Sequence, residues 1–273
     1  MFKTSLDDLV KHLQRDVSIT ENSIVWLHSG ILGLGLIKGG LDTITEAFSR
    51  VLPQGALVIP SFTYSWCNSK VFDPLTSECP DMGAYGKVAW KDKRFKRNSN
   101  PNFSISVMDQ TSDKRVEKAL SLDETKYTCF GEGSVFDQMY RLSEELPGKI
   151  VLLGGAHNDV VFRTTFLHYI EEKIGVPYRY QKTFKNPQNS KESVVQLVRY
   201  MSQDEYHEVN GNNALKFTFP IKEKYLKLGE DIVKNKMLLQ SPFGYSTSKA
   251  ISIIDLCDWL EKKIKKDTQY LLN

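Results

Sequence analysis

The chain is poor in the residues that build metal or disulfide centres. Its four cysteines, Cys67, Cys79, Cys129 and Cys257, form no CxxC pair and no Cys/His ligand spacing. That excludes a zinc-finger framework and predicts ordinary core or loop thiols, with no metal site. Apolar runs near the ~20 residues that span a bilayer are missing. The opening MFKTSLDDLVKHLQRD carries acids too early for a signal peptide, so a cytoplasmic protein without a membrane partner is expected. A strong excess of one charge is missing too. A net charge of +3 is too mild for a dedicated nucleic-acid binder, and no aromatic-basic stripe points to one. Histidine is scarce, with five in 273 residues, so each can be weighed.

What is present is globular: 41% hydrophobic and 25% charged residues. Leu6, Leu9, Val10 and Leu13 recur at helical spacing over 5–15. Ser23 to His28 is a short apolar run that reads as a buried strand. A glycine-rich loop from Ser29 to Gly35 follows, then Gly39-Gly40, an amphipathic helix from Leu41 and a strand at 56–60. Strand, loop, helix, strand is a βαβ unit and predicts an α/β fold. The pattern recurs at 149–154 and in a helix over 164–174, and Ser134 is placed to cap another helix. Residues 178–220 read as a small antiparallel excursion turning at Asn210-Gly211. The tail from Ser248 to Lys266 reads as one helix. With no repeat or linker, a single domain over 1–273 is the simplest organisation.

Open α/β sheets bind ligands at the carboxyl ends of their strands. His28 and His157 both fall at such ends, whereas His12 and His207 read as surface residues. His168 has Glu171 three residues on, which places both on one helical face. A carboxylate beside an imidazole fixes its tautomer, the arrangement a general base needs. The glycine loop is neither a P-loop nor a normally placed Gly-x-Gly-x-x-Gly, which argues against an ATPase or a nucleotide-dependent dehydrogenase. Read without further context, it is either an anion cradle or a tight turn.

Several blocks together resemble one known family. They are His28-Ser29 through Gly39-Gly40, Gly55 to Thr63, Phe72-Asp73-Pro74, Met82-Gly83, Phe130 to Ser134, Thr165 to Glu171, and Pro177-Tyr178-Arg179. In this order the chain resembles the aminoglycoside 3-N-acetyltransferases, or antibiotic N-acetyltransferase superfamily. The resemblance implies a mixed, largely parallel sheet covered by helices, distinct from the GNAT fold, and acetyl-CoA as acyl donor. It implies that Ser29, Gly30, Ile31, Leu32 and Gly33 hold coenzyme A through backbone amides, with Lys38, Gly39, Gly40, Arg97, Asn98, Thr164 and Thr165 as further cofactor contacts. It also implies His168 as general base, Glu171 as its orienting partner and His157 as a further catalytic candidate. Attack on the thioester would be direct, and the oxyanion would be met by amides near Ile31-Leu32 or by the Thr164 and Thr165 hydroxyls.

One departure bears on the acceptor. The family's Arg-Ser-x-His-Pro-x-His-Ser block reads here Arg97-Asn98-Ser99-Asn100-Pro101-Asn102-Phe103-Ser104, so both histidines are replaced. The candidate cleft loops offer few acids and many aromatics. Tyr64, Trp66, Phe72 and Asp73 are therefore the expected substrate contacts. An aromatic wall beside lysines suits a base and a diphosphate. The expected acceptor is an amino sugar linked to a nucleotide, of the dTDP-amino-dideoxyhexose type used in surface polysaccharide. An aminoglycoside is the alternative, and an inactive CoA- or sugar-binding homologue is the reading from another class. The 178–220 excursion offers a substrate-binding insert, a homodimer contact or both, and the sequence does not rank these.

Overall fold

The computed structural model describes residues 1–64, 66, 71–121, 128–155 and 164–272. A short strand β1 (Lys3–Thr4) leads into α1 (Leu6–Lys11), where Ser5 and Asp8 form a reciprocal capping box. The helix runs on as one wide turn over His12–Asp16. Then come β2 (Ile24–Ser29), a 3₁₀ turn over Ile31–Leu34, β3 (Leu36–Ile37), α2 (Asp42–Val51) and β4 (Ala56–Pro60). After these follow α3 (Ala84–Ala89), β5 (Lys96–Arg97), β6 (Ile105–Asp109), α4 (Arg115–Leu120), α5 (Val135–Glu145) and β7 (Gly148–Leu153). The last part holds α6 (Phe166–Ile174), β8 (Arg179–Asn186), β9 (Asn189–Arg199), α7 (Gln203–Asn210), α8 (Tyr225–Lys234), β10 (Leu239–Phe243), β11 (Ser246–Ser252) and α9 (Ile253–Lys266).

Seven strands make one mixed sheet in the order β10-β11-β7-β2-β4-β6-β5. The three central strands, β7, β2 and β4, run parallel, and their outer neighbours are antiparallel. Strand β2 shows why its sequence reads as an unbroken apolar run. Alternate side chains leave opposite faces, and both faces are buried. Ile24 and Trp26 enter the core with Phe136 of α5 and Phe166 of α6, whereas Val25 and Leu27 enter the core with Leu9 and Phe48 of α1 and α2. No helix among the described residues is long and apolar enough to cross a membrane.

Three local expectations are corrected. The antiparallel excursion is the hairpin β8–β9, which turns at Pro187-Gln188. Asn210 instead ends α7, with Gly211 at φ +63°. Residues 248–252 of the tail helix are strand β11, because they lie between β10 and β7 in the sheet, with Ile251 paired to Ile150, before Ser252 caps α9. His12 is buried, with Nδ1 2.9 Å from Asp16 Oδ2 and its ring stacked on Phe243 at 4.2 Å. His207 is partly exposed as expected.

Candidate active site

The helix α6 brings His168 and Glu171 together as their spacing predicts. Nδ1 of His168 lies 2.7 Å from Oε2 of Glu171, whose side chain is wholly buried. A carboxylate only accepts, so this contact fixes the proton on Nδ1 and leaves the lone pair on Nε2. That nitrogen has no partner among the described residues, and His168 lines a cavity of about 890 Å³. A lone pair held over a cavity is what proton abstraction from a bound amine requires.

Glu171 is fastened by more than histidine. The Tyr178 hydroxyl donates to its Oε1 at 2.8 Å, and Arg179 Nε lies 3.0 Å from its Oε2. Burial by itself would raise the carboxyl. The hydrogen bond from His168, the Arg179 charge and the Tyr178 hydroxyl outweigh it and hold Glu171 below its ordinary value. Arg179 also pairs with Glu223, which meets Arg199 at 3.6 Å and accepts from the Tyr225 hydroxyl at 2.6 Å. The motif Pro177-Tyr178-Arg179 is thus the far side of the dyad.

The cavity opens beyond the carboxyl ends of β2, β4 and β7, where His28, Ser29, Pro60, Leu152 and Leu153 line it. The hairpin β8–β9 and α7 supply another wall, through Arg179, Lys182, Arg199 and Glu205. An aromatic wall is made by Phe62, Tyr64, Phe103 and Phe130. Phe103 packs against the other three, at ring distances of 5.0, 5.6 and 4.7 Å. Phe103 therefore turns a family histidine position into apolar wall. Asn100, at the other replaced position, accepts from the amides of Asn102 and Phe103 and shapes the loop.

Of the residues expected from sequence, Ser29, Gly30, Tyr64, Thr164, Thr165 and His168 line the cavity. Others do not, for physical reasons that sequence alone does not show. Arg97 is buried and gives its donors to Ser104 Oγ, Thr63 Oγ1 and the carbonyls of Ser61 and Ser77, so it props the fold instead of meeting a phosphate. Asn98 is likewise internal, accepting from the Ile105 amide at 2.9 Å. Trp66 is a core residue whose indole donates to Glu192 at 2.9 Å, and Phe72 lies under the Arg97 guanidinium. Asp73 accepts from Leu75 N and Thr76 Oγ1 and so closes its own turn. Lys38, Gly39 and Gly40 form the turn into α2, outside the cavity, where Thr43 Oγ1 donates to the Lys38 carbonyl. His157 lies outside the described residues.

The glycine loop serves close packing. The Gly30 amide donates to Leu153 O and the Gly33 amide to Gly30 O. A Cβ on Gly33 would sit 2.3 Å from the Gly154 carbonyl, and one on Gly154 would sit 2.4 Å from that of Gly30. These glycines let the loop lie backbone to backbone on the end of β7. Ile31 and Leu32 open the 3₁₀ turn, so their amides have no partner within it. Leu32 stands 93% exposed beside them.

These features fit acetyl-CoA. Thr164 Oγ1 is a buried hydroxyl with no partner among the described residues, on the cavity wall. It is an orphaned donor of the kind a ligand satisfies. The apolar and aromatic lining suits a thioester arm, and Ile31 and Leu32, which with Gly33 stand outside the cavity lining and follow its Gly30, offer amides at the rim. The acyl donor brings an activated carbonyl, and this chain supplies a positioned base and donors around it.

Three features of the site are not assigned a role by the sequence. Arg179 and Tyr178 belong to the Pro177-Tyr178-Arg179 block, which is the signal that could find them. Glu223 and Arg199 carried none, because their partners are distant in the chain. His28 falls at a strand end, and its spacing gives it no role.

The family model of the aminoglycoside 3-N-acetyltransferases matches residues 26–265. No curated protein matches the chain significantly. Among solved structures, the apoenzyme of aminoglycoside acetyltransferase AAC(3)-IVa is 20% identical, with a TM-score of 0.75 over 100% of this chain and 93% of that one. AAC-IIIb, solved as a binary complex with CoASH, is 15% identical, with a TM-score of 0.71 over 97% of each chain. AAC-VIa bound to sisomicin is 18% identical, with a TM-score of 0.73 over 97% of this chain and 98% of that one. At these identities the structural likeness establishes a shared fold.

Proposed function

The chain belongs to the aminoglycoside 3-N-acetyltransferase family and is an acyltransferase that uses acetyl-CoA, and on that premise we propose that it acetylates an amino group of an aminoglycoside-type sugar. The observation that carries the reading is the His168–Glu171 contact at 2.7 Å on the cavity wall. His168 Nε2 takes the proton of the attacking amine, and Glu171 keeps Nδ1 protonated and balances the imidazolium that forms. Thr164, Thr165 and the Ile31 and Leu32 amides hold the acyl donor. One α/β unit over 1–273 acts in this reading, since a single core cluster reaches from Ile24 to Leu271.

A second acceptor class, a nucleotide-linked amino sugar, is favoured by the charges of the wall. Glu205 is paired with Lys182, and Glu223 with Arg179 and Arg199. Of the lining carboxylates only Asp81 has no ion pair among the described residues. A polycationic acceptor needs unengaged carboxylates, whereas Arg199 and Lys182 suit a phosphate.

The experiment is release of free thiol from acetyl-CoA, with an aminoglycoside panel and a dTDP-amino-dideoxyhexose panel in parallel. Turnover with aminoglycosides upholds the first reading, and turnover with nucleotide sugars alone replaces it with the second. Silence on both panels overturns both and leaves an inactive binding homologue.

A further inference from the structure

His28 faces the same cavity as His168 with the opposite hydrogen-bonding sense. Trp26 and His28 are two apart on β2, so both leave the same face of the sheet. The Trp26 indole Nε1 donates to His28 Nε2 at 3.0 Å. Indole N–H is only ever a donor, so Nε2 of His28 carries a lone pair and the one proton of the neutral ring sits on Nδ1. Trp26 cannot swing away. It is fully buried, with its ring 5.3 Å from that of Phe136 and 5.4 Å from that of Phe166. Nδ1 has no partner among the described residues and is not sealed in the core, so its N–H is offered to the cavity that His28 lines.

The two histidines are rooted in one aromatic cluster. Phe166 lies two residues before His168 on α6, and Phe130 lies 5.3 Å from the His168 ring and 5.6 Å from Phe136. The cavity therefore receives a lone pair from one imidazole and an N–H from the other. Burial, with no charged group adding to it, pushes the His28 imidazole down to about 4 and keeps it neutral at working pH.

We propose that His28 is a further catalytic residue, whose Nδ1–H donates to the carbonyl oxygen of the acyl group under attack and to the oxyanion it becomes. The step balances without another reactant. The amine lone pair forms the C–N bond, the carbonyl π pair moves to the oxygen held by His28, and the amine proton passes to His168 Nε2. The oxygen pair returns, the C–S bond breaks, and the thiolate leaves with that pair and takes the proton. Amide and free thiol result. A neutral donor suits this task, because it strengthens as charge develops on the oxygen.

The proposal rests on the acyl-transfer reading, and its first test does not. Imidazole ¹⁵N–¹H correlation spectra of the full chain, without ligand, should show His28 protonated on Nδ1 and bare on Nε2, unchanged from about pH 8 to pH 5.5. Next, His28→Ala should lower kcat by ~10²–10³-fold with KM for acetyl-CoA changed by less than about threefold. His28→Asn, whose side-chain N–H lies near the position of Nδ1, should recover part of that loss. A proton on Nε2 overturns the proposal, as does a His28→Ala enzyme within about twofold of the parent. If His28→Ala does not fold, the tautomer and the Asn variant still decide. If His168→Ala also stays active, it is the acyl-transfer mechanism that fails.

Discussion

The Tyr178 hydroxyl donates to Oε1 of Glu171 at 2.8 Å, while the His168 contact and the nearest guanidinium nitrogen of Arg179 fall on Oε2. A wholly buried carboxylate is thus engaged on both oxygens by groups from α6 itself, from the α6–β8 connection and from the start of β8. Burial of a charge is costly unless it is paired and hydrogen-bonded, and here it is both. The result is an imidazole that has one orientation and one tautomer before any substrate arrives.

His168→Ala should lower kcat by ~10²–10⁴-fold, the usual effect of losing a positioned base. Far-UV circular dichroism should be unchanged, because His168 is 26% exposed at its side chain. Near-parental turnover in the thiol-release assay would remove His168 from the mechanism.

Glu171→Gln keeps the shape but leaves Arg179 facing a neutral amide in a buried setting. Removing one partner of a buried pair costs ~3–5 kcal/mol. Tyr178→Phe, which removes a single bond, should cost ~1–3 kcal/mol. Urea unfolding of the two variants checks the order, and a Tyr178→Phe protein weaker than Glu171→Gln would refute it.

The Glu171 carboxyl is held below its ordinary value near 4.5 in the folded chain. Its contribution to stability is therefore present above pH ~4.5 and is lost as pH falls below that through the folded value. His28 acts at milder pH. Its imidazole titrates near 6.5 when unfolded and at about 4 when folded. Between these values the unfolded chain binds the extra proton, so stability is complete above ~6.5 and declines on acidification towards 4. With the cavity side partly open to water, the swing should be on the order of 2 kcal/mol. His12, lowered by burial against the opposing effect of Asp16, adds a change of the same sign. The difference between parent and His28→Gln in urea unfolding at about pH 7.5 and pH 5 isolates His28. Equal losses in both proteins would contradict the assignment.

Gly33→Ala should disrupt the loop, because its Cβ would meet the Gly154 carbonyl at 2.3 Å with backbone on the facing side. Gly40→Ala has a strained φ of +73° but open space around the new methyl, so only ~1–2 kcal/mol is expected. Acetyl-CoA affinity by calorimetry should fall for Gly33→Ala and hold for Gly40→Ala. Unaltered affinity in both would show that the packed loop does not shape the donor site.

The parts of this protein legible in the sequence are those set by neighbours along the chain. Spacing of three on a helix brings His168 to Glu171 whatever else surrounds them. The β2 run predicts burial on both faces, and the ordered glycine and His-x-x-Glu blocks identify the family. Trp66, Phe72 and Arg97 looked equally suited to a ligand, yet they face inward, because Glu192 meets Trp66 and four oxygens meet Arg97. His12 looked exposed until Phe243 covered it. Residues 248–252 have the apolar content of a helix face, and only pairing with β7 and β10 makes them a strand.

The sequence by itself determined the central strands, the dyad, the family and the class of chemistry, since local periodicity and motif order carry those. Only the tertiary structure decided which polar groups face the cavity, which are consumed inside the fold, and which nitrogen of His28 holds its proton. The physical reason is that exposure and tautomer depend on the partner atom. For Arg97, Trp66 and Glu223 that partner comes from another part of the chain. For His28 it is Trp26, two residues away on the same strand, held in place by rings from α5 and α6.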